Sequence, residues 1–311
     1  MNKISIIGTG YVGLVTGVGM AEFGNEVICS DIDKTKINSL KSGFLPIYEF
    51  GLEEIVKRNI KNNRLSFSSN VKESISCSDI IVIAVGTPEG ENGQADMSFV
   101  FSVAETIANN LNNYKIIVTK STVPIGSGRK IIKIINDKIN GKDLFDYVSN
   151  PEFLREGSAL KDFLWPDRVI IGTDSEKAYK IMRNVYRPLY INKNPITHTS
   201  IETAEMIKYA SNSFLALKIS FVNEIANLCE SVGADVHNVA TAMGQDGRIS
   251  DKFLHPGPGF GGSCFPKDLE ALLSISEYNN VKMETIEAAI IANNNQKKRM
   301  VEKLINLFNG E

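Results

Sequence analysis

Cysteine is scarce and scattered: four residues, at 29, 77, 229 and 264, with no Cys-x-x-Cys pair or other metal-ligand spacing among them. This argues against a disulfide framework or a cysteine-based metal centre, and for reduced thiols in a cytoplasmic protein with no metal. No apolar run reaches the ~18 residues of a membrane span. Neither sign of charge dominates, and a formal net charge of −2 offers no footprint for nucleic acid or an anionic membrane. Internal repeats, low-complexity stretches and long charge runs are also missing. An apolar run begins at Ile4, so no cleavable targeting segment is expected. What remains is a globular composition, 43% hydrophobic and 23% charged, and 311 residues are enough for two domains.

The first motif is Gly8-Thr9-Gly10-Tyr11-Val12-Gly13, set between the apolar run Ile4 to Ile7 and a helical pattern that continues to Phe23. Gly8 permits the tight turn, Gly10 lets a pyrophosphate approach the backbone, and Gly13 lets helix pack on strand. A second strand, Glu26 to Ser30, ends at Asp31, 18 residues beyond Gly13, where a carboxylate would hold an adenosine ribose and repel a 2′-phosphate. The expected cofactor is therefore NAD rather than NADP.

Strands and helices then alternate as in a doubly wound parallel sheet. Leu52 to Ile60 reads as helix, Leu65 to Phe67 as strand, Ile80 to Val85 as a buried strand, Met97 to Leu111 as helix and Ile116 to Thr119 as strand. Thr87 and Thr122, just past two of these strands, are expected at the cofactor edge, although Gly86-Thr87-Pro88 also suits a plain turn. Tyr147 to Ser149 reads as a further strand, ahead of Asn150-Pro151-Glu152-Phe153-Leu154-Arg155-Glu156-Gly157. If that segment coils, Glu152 and Glu156 share a face; a charged, solvated helix start fits the same spacing. Val169 to Ile171 reads as strand and Glu176 to Tyr186 as helix.

From Thr203 to Val232 the pattern becomes one long helix without proline or glycine, capped by Gly233. Its apolar residues point several ways, so burial on more than one side is expected. Lys208 and Asn212, four apart, make a polar patch, unless Lys208 is simply a solvated lysine. Asp235 reads as the N-cap of a short helix, and further helices are expected over Leu269 to Tyr278 and from Thr285 to about Phe308. The fold class is thus α/β: a Rossmann-like domain at 1–199, then an all-α domain at 200–311 with a long spine helix.

Between those last helices and the short one lies Phe253-Leu-His-Pro-Gly-Pro-Gly-Phe-Gly-Gly-Ser-Cys-Phe-Pro-Lys-Asp268. Its glycines allow backbone to approach a ligand, and Pro266 suits a first helical turn. A helix starting there puts Cys264 at its positive end with Lys267 nearby, the setting of a nucleophile. An ordinary Gly-Pro loop with an incidental cysteine has the same composition.

Taken together, Gly-Thr-Gly-Tyr-Val-Gly at 8, Lys-Ser-Thr-Val-Pro at 120, Asn-Pro-Glu-Phe-Leu-Arg-Glu-Gly at 150 and Gly-Phe-Gly-Gly-Ser-Cys-Phe-Pro-Lys-Asp at 259 resemble the UDP-glucose/GDP-mannose dehydrogenase family over essentially the whole chain. Trp-Pro-Asp-Arg-Val-Ile-Ile-Gly at 165 and Gly-Arg-Ile-Ser-Asp-Lys-Phe-Leu at 247 are closer to its UDP-glucose-oxidising branch than to the GDP-mannose or UDP-N-acetylmannosamine branches. The resemblance implies two oxidations at C6 of UDP-glucose, giving UDP-glucuronate through a thiohemiacetal and a thioester on Cys264. It implies that Lys208 and Asn212 steady the C6 oxygen, that Asp268 takes protons with a water, and that Thr122, Glu152 and Glu156 serve thioester hydrolysis. Val12, Asp31, Lys36, Thr87, Thr122 and Lys267 match cofactor contacts beside Gly8, Gly10 and Gly13. Glu152, Phe153, Leu154, Arg155, Glu156, Lys208, Asn212, Arg248, Phe253, Leu254, His255, Pro256, Gly257 and Gly261 match substrate contacts. A homodimer through the 203–232 helix is implied, with Arg248 reaching across it. The family's C-terminal UDP-binding domain has no counterpart in these 311 residues. Two alternatives follow: the same chemistry on GDP-mannose or UDP-N-acetylmannosamine, or an inactive NAD-binding and dimerisation module.

Overall fold

The computed structural model describes residues 1–90, 93–192 and 196–309. By contact density the chain forms two compact units, residues 1–88 with 96–208, and 89–95 with 209–311.

The first unit is built on an eight-stranded sheet in the order β3-β2-β1-β4-β5-β6-β7-β8. The strands are β1 (Lys3–Ile7), β2 (Glu26–Ser30), β3 (Leu65–Ser68), β4 (Ile80–Ile83), β5 (Lys115–Thr119), β6 (Phe145–Ser149), β7 (Val169–Gly172) and β8 (Ile196–Thr199). Between them run α1 (Tyr11–Glu22), α2 (Lys34–Lys41), α3 (Leu52–Lys61), α4 (Val71–Ser76), α5 (Ser98–Asn110), α6 (Ser127–Ile139), α7 (Ala159–Leu164) and α8 (Glu176–Val185). Pairing is parallel from β3 through β6, in registers such as Ile4 opposite Val27 and Ile80. The expected Rossmann-like sheet is thus present. Its far edge departs from a purely parallel sheet, because β7 runs antiparallel to β6 and meets it only where Ser149 faces Gly172.

Both faces are covered, which explains why the central strands read as unbroken apolar runs. Ile4, Ile6, Val82, Val118 and Val148 point to one face and pack with Leu14, Val15 and Val18 of α1 and Phe163 of α7. Ile7, Ile81, Ile83 and Ile117 point to the other, against Val100, Ala104 and Ile107 of α5 and Ile131 and Ile135 of α6. Each such side chain, fully buried, contributes on the order of 1.5–3 kcal/mol. Five elements absent from the sequence reading, α2, α4, α6, α7 and β8, are short or amphipathic pieces between stronger signals. The closest packing is at Gly13, where a Cβ would stand 1.9 Å from the Gly8 carbonyl oxygen.

The second unit is helical: most of α9 (Ile201–Val232), α10 (Val236–Gly244), α11 (Phe265–Tyr278) and α12 (Glu284–Asn309). Asp235 caps α10, its carboxylate accepting from the His237 N–H at 2.8 Å. The expectation that α9 is buried on more than one side meets a limit. Phe214, Phe221 and Leu228, at seven-residue intervals and so along one helix face, are exposed. None of the described helices is long and apolar enough to cross a membrane.

Within the first unit the start of α9 is tied to α6 by a carboxylate. Glu205 accepts from the Gly126 N–H at 2.6 Å and the Gly128 N–H at 2.8 Å, which are otherwise unpaired groups at the start of α6. Burial pushes its carboxyl up to about 7, against those hydrogen bonds; nearby Glu202 adds to the rise and Arg129 opposes it.

Two outcomes are expected. Gly13→Ala forces α1 off β1, costing about 3 kcal/mol and lowering Tm by roughly 6–12 °C in a scanning calorimeter; an unchanged Tm would show that α1 can shift freely. For Glu205, the folded chain holds a proton between the ordinary 4.5 and about 7 that the unfolded chain has released. Its contribution is therefore fully present below pH 4.5 and declines by on the order of 3 kcal/mol as pH rises through 7. In Glu205→Gln that decline should vanish, so the Tm difference, wild type minus variant, should narrow or change sign between pH 5 and 7.5. A constant difference would refute the raised carboxyl.

Candidate active site

The carboxyl ends of the parallel strands carry the first group of side chains. After β1, Gly8 turns with φ +102° and donates its N–H to Ser30 at 2.8 Å. Gly10 caps α1 without a side-chain cap, and no atom lies within 4 Å of where its Cβ would be. An open approach to uncapped N–H groups, with no acid in the first turn, fits a dinucleotide phosphate. Val12, two residues beyond Gly10, is half-buried. At the end of β2, Asp31 accepts from the Thr9 N–H at 2.9 Å, the Thr9 hydroxyl at 2.7 Å and the Lys36 ammonium at 3.2 Å. Partial burial opposes the charge on Asp31, but these donors and the Asp33 N–H hold its carboxyl below the usual range. Thr87 and Thr122 meet: the Thr87 hydroxyl donates to the Thr122 carbonyl at 2.9 Å.

Glu152 and Lys208 form a buried ion pair at 2.8 Å, and the second Glu152 oxygen accepts from the Leu154 N–H at 2.5 Å. Two cations lie near the Phe153 ring, the Arg168 guanidinium at 3.9 Å from its centre and the Lys208 ammonium at 5.5 Å. One expectation fails here. Residues 151–155 are not helical, and α7 begins only at Ala159, so Glu152 is buried while Glu156 is exposed and the two do not share a helical face. Pro151 disfavours helix at the residue before it, and the Glu152 carboxylate already turns back onto the Leu154 N–H. Arg155 is exposed and paired with Asp162 at 2.6 Å.

The second unit holds the other group. Asp268 is buried between the Asn212 amide at 2.6 Å and the Lys267 ammonium at 2.7 Å. Cys264 is the exposed N-cap of α11, with Pro266 in the first turn. Lys267 therefore directs its charge to Asp268, not to the thiol. Leading into the cysteine, Phe253 has φ +64°, a strained value for a bulky residue, and its ring meets Phe265 edge-on at 6.3 Å. Leu254 is buried, Pro256 half-buried, and His255 and Gly261 are exposed. Arg248 is exposed and pairs with Asp246 at 2.6 Å.

Several residues that hold these groups were not anticipated. The Gly-Pro loop is pinned by three amides. Asn223 accepts from the Gly257 N–H at 2.7 Å, Gln296 donates to the Gly257 carbonyl at 2.9 Å, and Asn293 accepts from the Phe260 N–H at 2.7 Å while donating to its carbonyl at 3.1 Å. Asn-Asn-Asn-Gln at 293–296 was the available signal, since amides one helical turn apart in an otherwise good helix need a reason. In the first unit, Lys120 is buried and donates to the Asn150 carbonyl and side-chain oxygen, both at 3.3 Å. Asn150 in turn accepts from the Tyr186 hydroxyl at 2.6 Å.

Residues 2–190 match the NAD binding domain of the UDP-glucose/GDP-mannose dehydrogenase family, and residues 202–295 match that family's central domain. The chain is 51% identical over 308 residues to UDP-glucose 6-dehydrogenase TuaD of Bacillus subtilis, and 48% identical over 312 residues to the UDP-glucose 6-dehydrogenase of Rhizobium meliloti. Each alignment covers 99% of this chain but only 66% and 71% of the relatives. A solved UDP-glucose dehydrogenase from Pyrobaculum islandicum is similar with a TM-score of 0.91 at 39% identity, over 94% of this chain and 68% of that one. The chain belongs to the UDP-glucose/GDP-mannose dehydrogenase family, with that family's NAD-binding domain at residues 2–190.

Proposed function

We propose that the protein oxidises UDP-glucose, with two NAD⁺ and one water, to UDP-glucuronate. What supports this reading most is Cys264, exposed at the start of α11 with Asp268 in the following turn buried against Asn212 of α9, in a chain whose relatives are named for that substrate. When bound, NAD⁺ supplies the acceptor for a hydride in each oxidation. Lys208 and Asn212 stabilise the negative charge that develops on the C6 oxygen, and Asp268 accepts its proton through a water. The Cys264 thiolate then adds to the aldehyde carbon and a proton goes to the oxygen. Hydride loss from that adduct leaves a thioester. Water, positioned by Thr122, Glu152 and Glu156, adds to it, the C–S bond breaks, and the thiolate is regenerated with the carboxylate product.

The exposed row Phe214, Phe221 and Leu228 supports a homodimer through α9. In such a dimer Arg248, unburied in the single chain, can serve the partner's substrate. Four free cysteines fit a reducing compartment, so the cytoplasm is the proposed location. A second substrate class is favoured by one observation: a solved UDP-D-ManNAc dehydrogenase from Pyrococcus horikoshii is similar with a TM-score of 0.88 at 27% identity.

With limiting UDP-glucose and excess NAD⁺, two NADH per sugar are expected, and Cys264→Ser should lose net turnover by at least about a hundredfold. Faster NADH release from UDP-N-acetylmannosamine or GDP-mannose would reassign the substrate. NAD binding by calorimetry with no NADH from any of the three would replace the enzyme reading with that of a binding module.

A further inference from the structure

Lys120 has no part in the mechanism above, yet it is among the most buried charges in the molecule. It follows β5 directly, its residue is 4% exposed, and its ammonium has two long contacts, both to Asn150 at 3.3 Å. Phe163 lies below it, ring centre at 5.9 Å. Asn150 is held in turn by the Tyr186 hydroxyl at 2.6 Å and by its own donation to the Ile170 carbonyl at 2.6 Å. Two residues beyond Asn150 stands Glu152, 5% exposed and paired with Lys208, itself 4% exposed. Two ammonium groups and one carboxylate thus share one buried cluster, and no second carboxylate is paired with either lysine among the described contacts.

Simple fold maintenance does not account for this arrangement. A buried ammonium without a carboxylate of its own is costly, and an apolar side chain of the same length would fill the space without that cost. The charge does have an effect on its neighbours. With only Lys208 present, the pair with Glu152 is neutral and Lys208 is fully engaged. With Lys120 also charged, the cluster carries one net positive charge, and Lys208 can turn toward a developing oxyanion while Glu152 keeps a cation beside it.

We propose that Lys120 is a positioning residue for the Glu152–Lys208 pair: its buried ammonium supplies the net positive charge that lets Lys208 stabilise the substrate oxygen, and it holds Asn150 at the start of the loop that presents Glu152. This rests on the proposed role of Lys208. The groups facing Lys120 are Glu152, Lys208 and, through Asn150, Tyr186. Burial pulls the Lys120 ammonium down to about 8; Glu152 draws it back up and Lys208 pushes it further down. The charge is therefore present at neutral pH and is lost as pH rises past 8. It costs stability below that pH, and the cost disappears only above the ordinary lysine value of 10.5.

The test is Lys120→Met in the 311-residue chain, with kcat and KM measured across pH 6.5–9.5 and Tm measured alongside. We expect wild type to lose rate as pH rises past about 8, and the variant to show kcat lower by about 10- to 100-fold at pH 7, an unchanged KM for NAD⁺ and no such fall. Tm at pH 7 should be equal to or above wild type, because a buried charge has been removed. Lys120→Arg, which keeps the charge, should recover part of kcat. A variant as active as wild type with the same alkaline fall overturns the proposal, and so does a variant that loses rate only in proportion to a lowered Tm. If wild type itself makes no NADH from any nucleotide sugar, the functional reading fails instead, while a Tm raised by Lys120→Met would still mark Lys120 as a destabilising buried charge.

Discussion

Parallel pairing governs the first unit. Strands β1 to β6 run the same way, so every chain segment leaving one of them does so at the same edge of the sheet. The ladder even continues past the strand ends: Gly8 donates to Ser30, Ala84 to Ile7, Lys120 to Ile83 and Asn150 to Thr119, all at 2.8 or 2.9 Å. These bonds fix where the functional segments begin. Gly8, Asp31, Thr87, Lys120, Thr122 and Glu152 come from five different loops, and nothing local in the chain would gather them. The sheet order adds the second half of the constraint. β1 lies between β2 and β4, so the loops after β1 and β4 diverge to opposite sides and leave a crevice between them, as at other switch points of doubly wound sheets.

Within each of its two units the chain buries charges that a purely stable protein would avoid. Glu205, Glu152, Lys208, Lys120 and Asp268 are each at most 5% exposed. Most have compensation: Glu205 has two helix N–H donors, Glu152 has Lys208, and Asp268 has Lys267 and an amide. The degree of compensation differs, and the difference is informative. Glu205 is satisfied by backbone and ties α9 to α6, a structural task. Among the described residues, the hydrogen bonds of the Lys120 ammonium are the two long ones to Asn150, and its charge is explained by what it does to its neighbours rather than by what they do for it.

Much of this could be read from the residues. Glycines at 8, 10 and 13 with Asp31 at the right distance specify strand, turn, helix and strand, because each position has a steric or electrostatic requirement that few residues meet. Thr87 and Thr122 were placed at the same edge by strand direction alone, and they hydrogen-bond. What stayed hidden depends on distant parts of the chain. Lys120 looks like a solvated lysine until β5 and the Asn150 loop close over it. The facing of Glu152 and Glu156 assumed a helix that begins only at Ala159, and spacing cannot reveal that failure. Phe214, Phe221 and Leu228 read as core because they are apolar at helical spacing; the pattern does not say whether the cover comes from this chain.

The Gly-Pro loop of the second unit shows why a motif is only half of a site. Glycine brings backbone freedom that must be lost on ordering, at roughly 1–2 kcal/mol per residue, so a loop rich in it is mobile unless something outside holds it. Here the holding is done by side chains from α9 and α12. At Gly259, φ +106°, a Cβ would come within 2.6 Å of the Asn293 side-chain oxygen. That same oxygen accepts from the Phe260 N–H. The missing side chain of Gly259 is thus the space that Asn293 needs. Asn223 and Gln296 hold Gly257 by its N–H and its carbonyl. Cys264 follows this clamped segment and begins α11, so its position is set by amides up to 41 residues away in sequence (264 minus 223). A glycine-proline stretch with a cysteine becomes a defined site only where a helix supplies amides at the matching interval, and Asn293 and Gln296, three apart on α12, supply it.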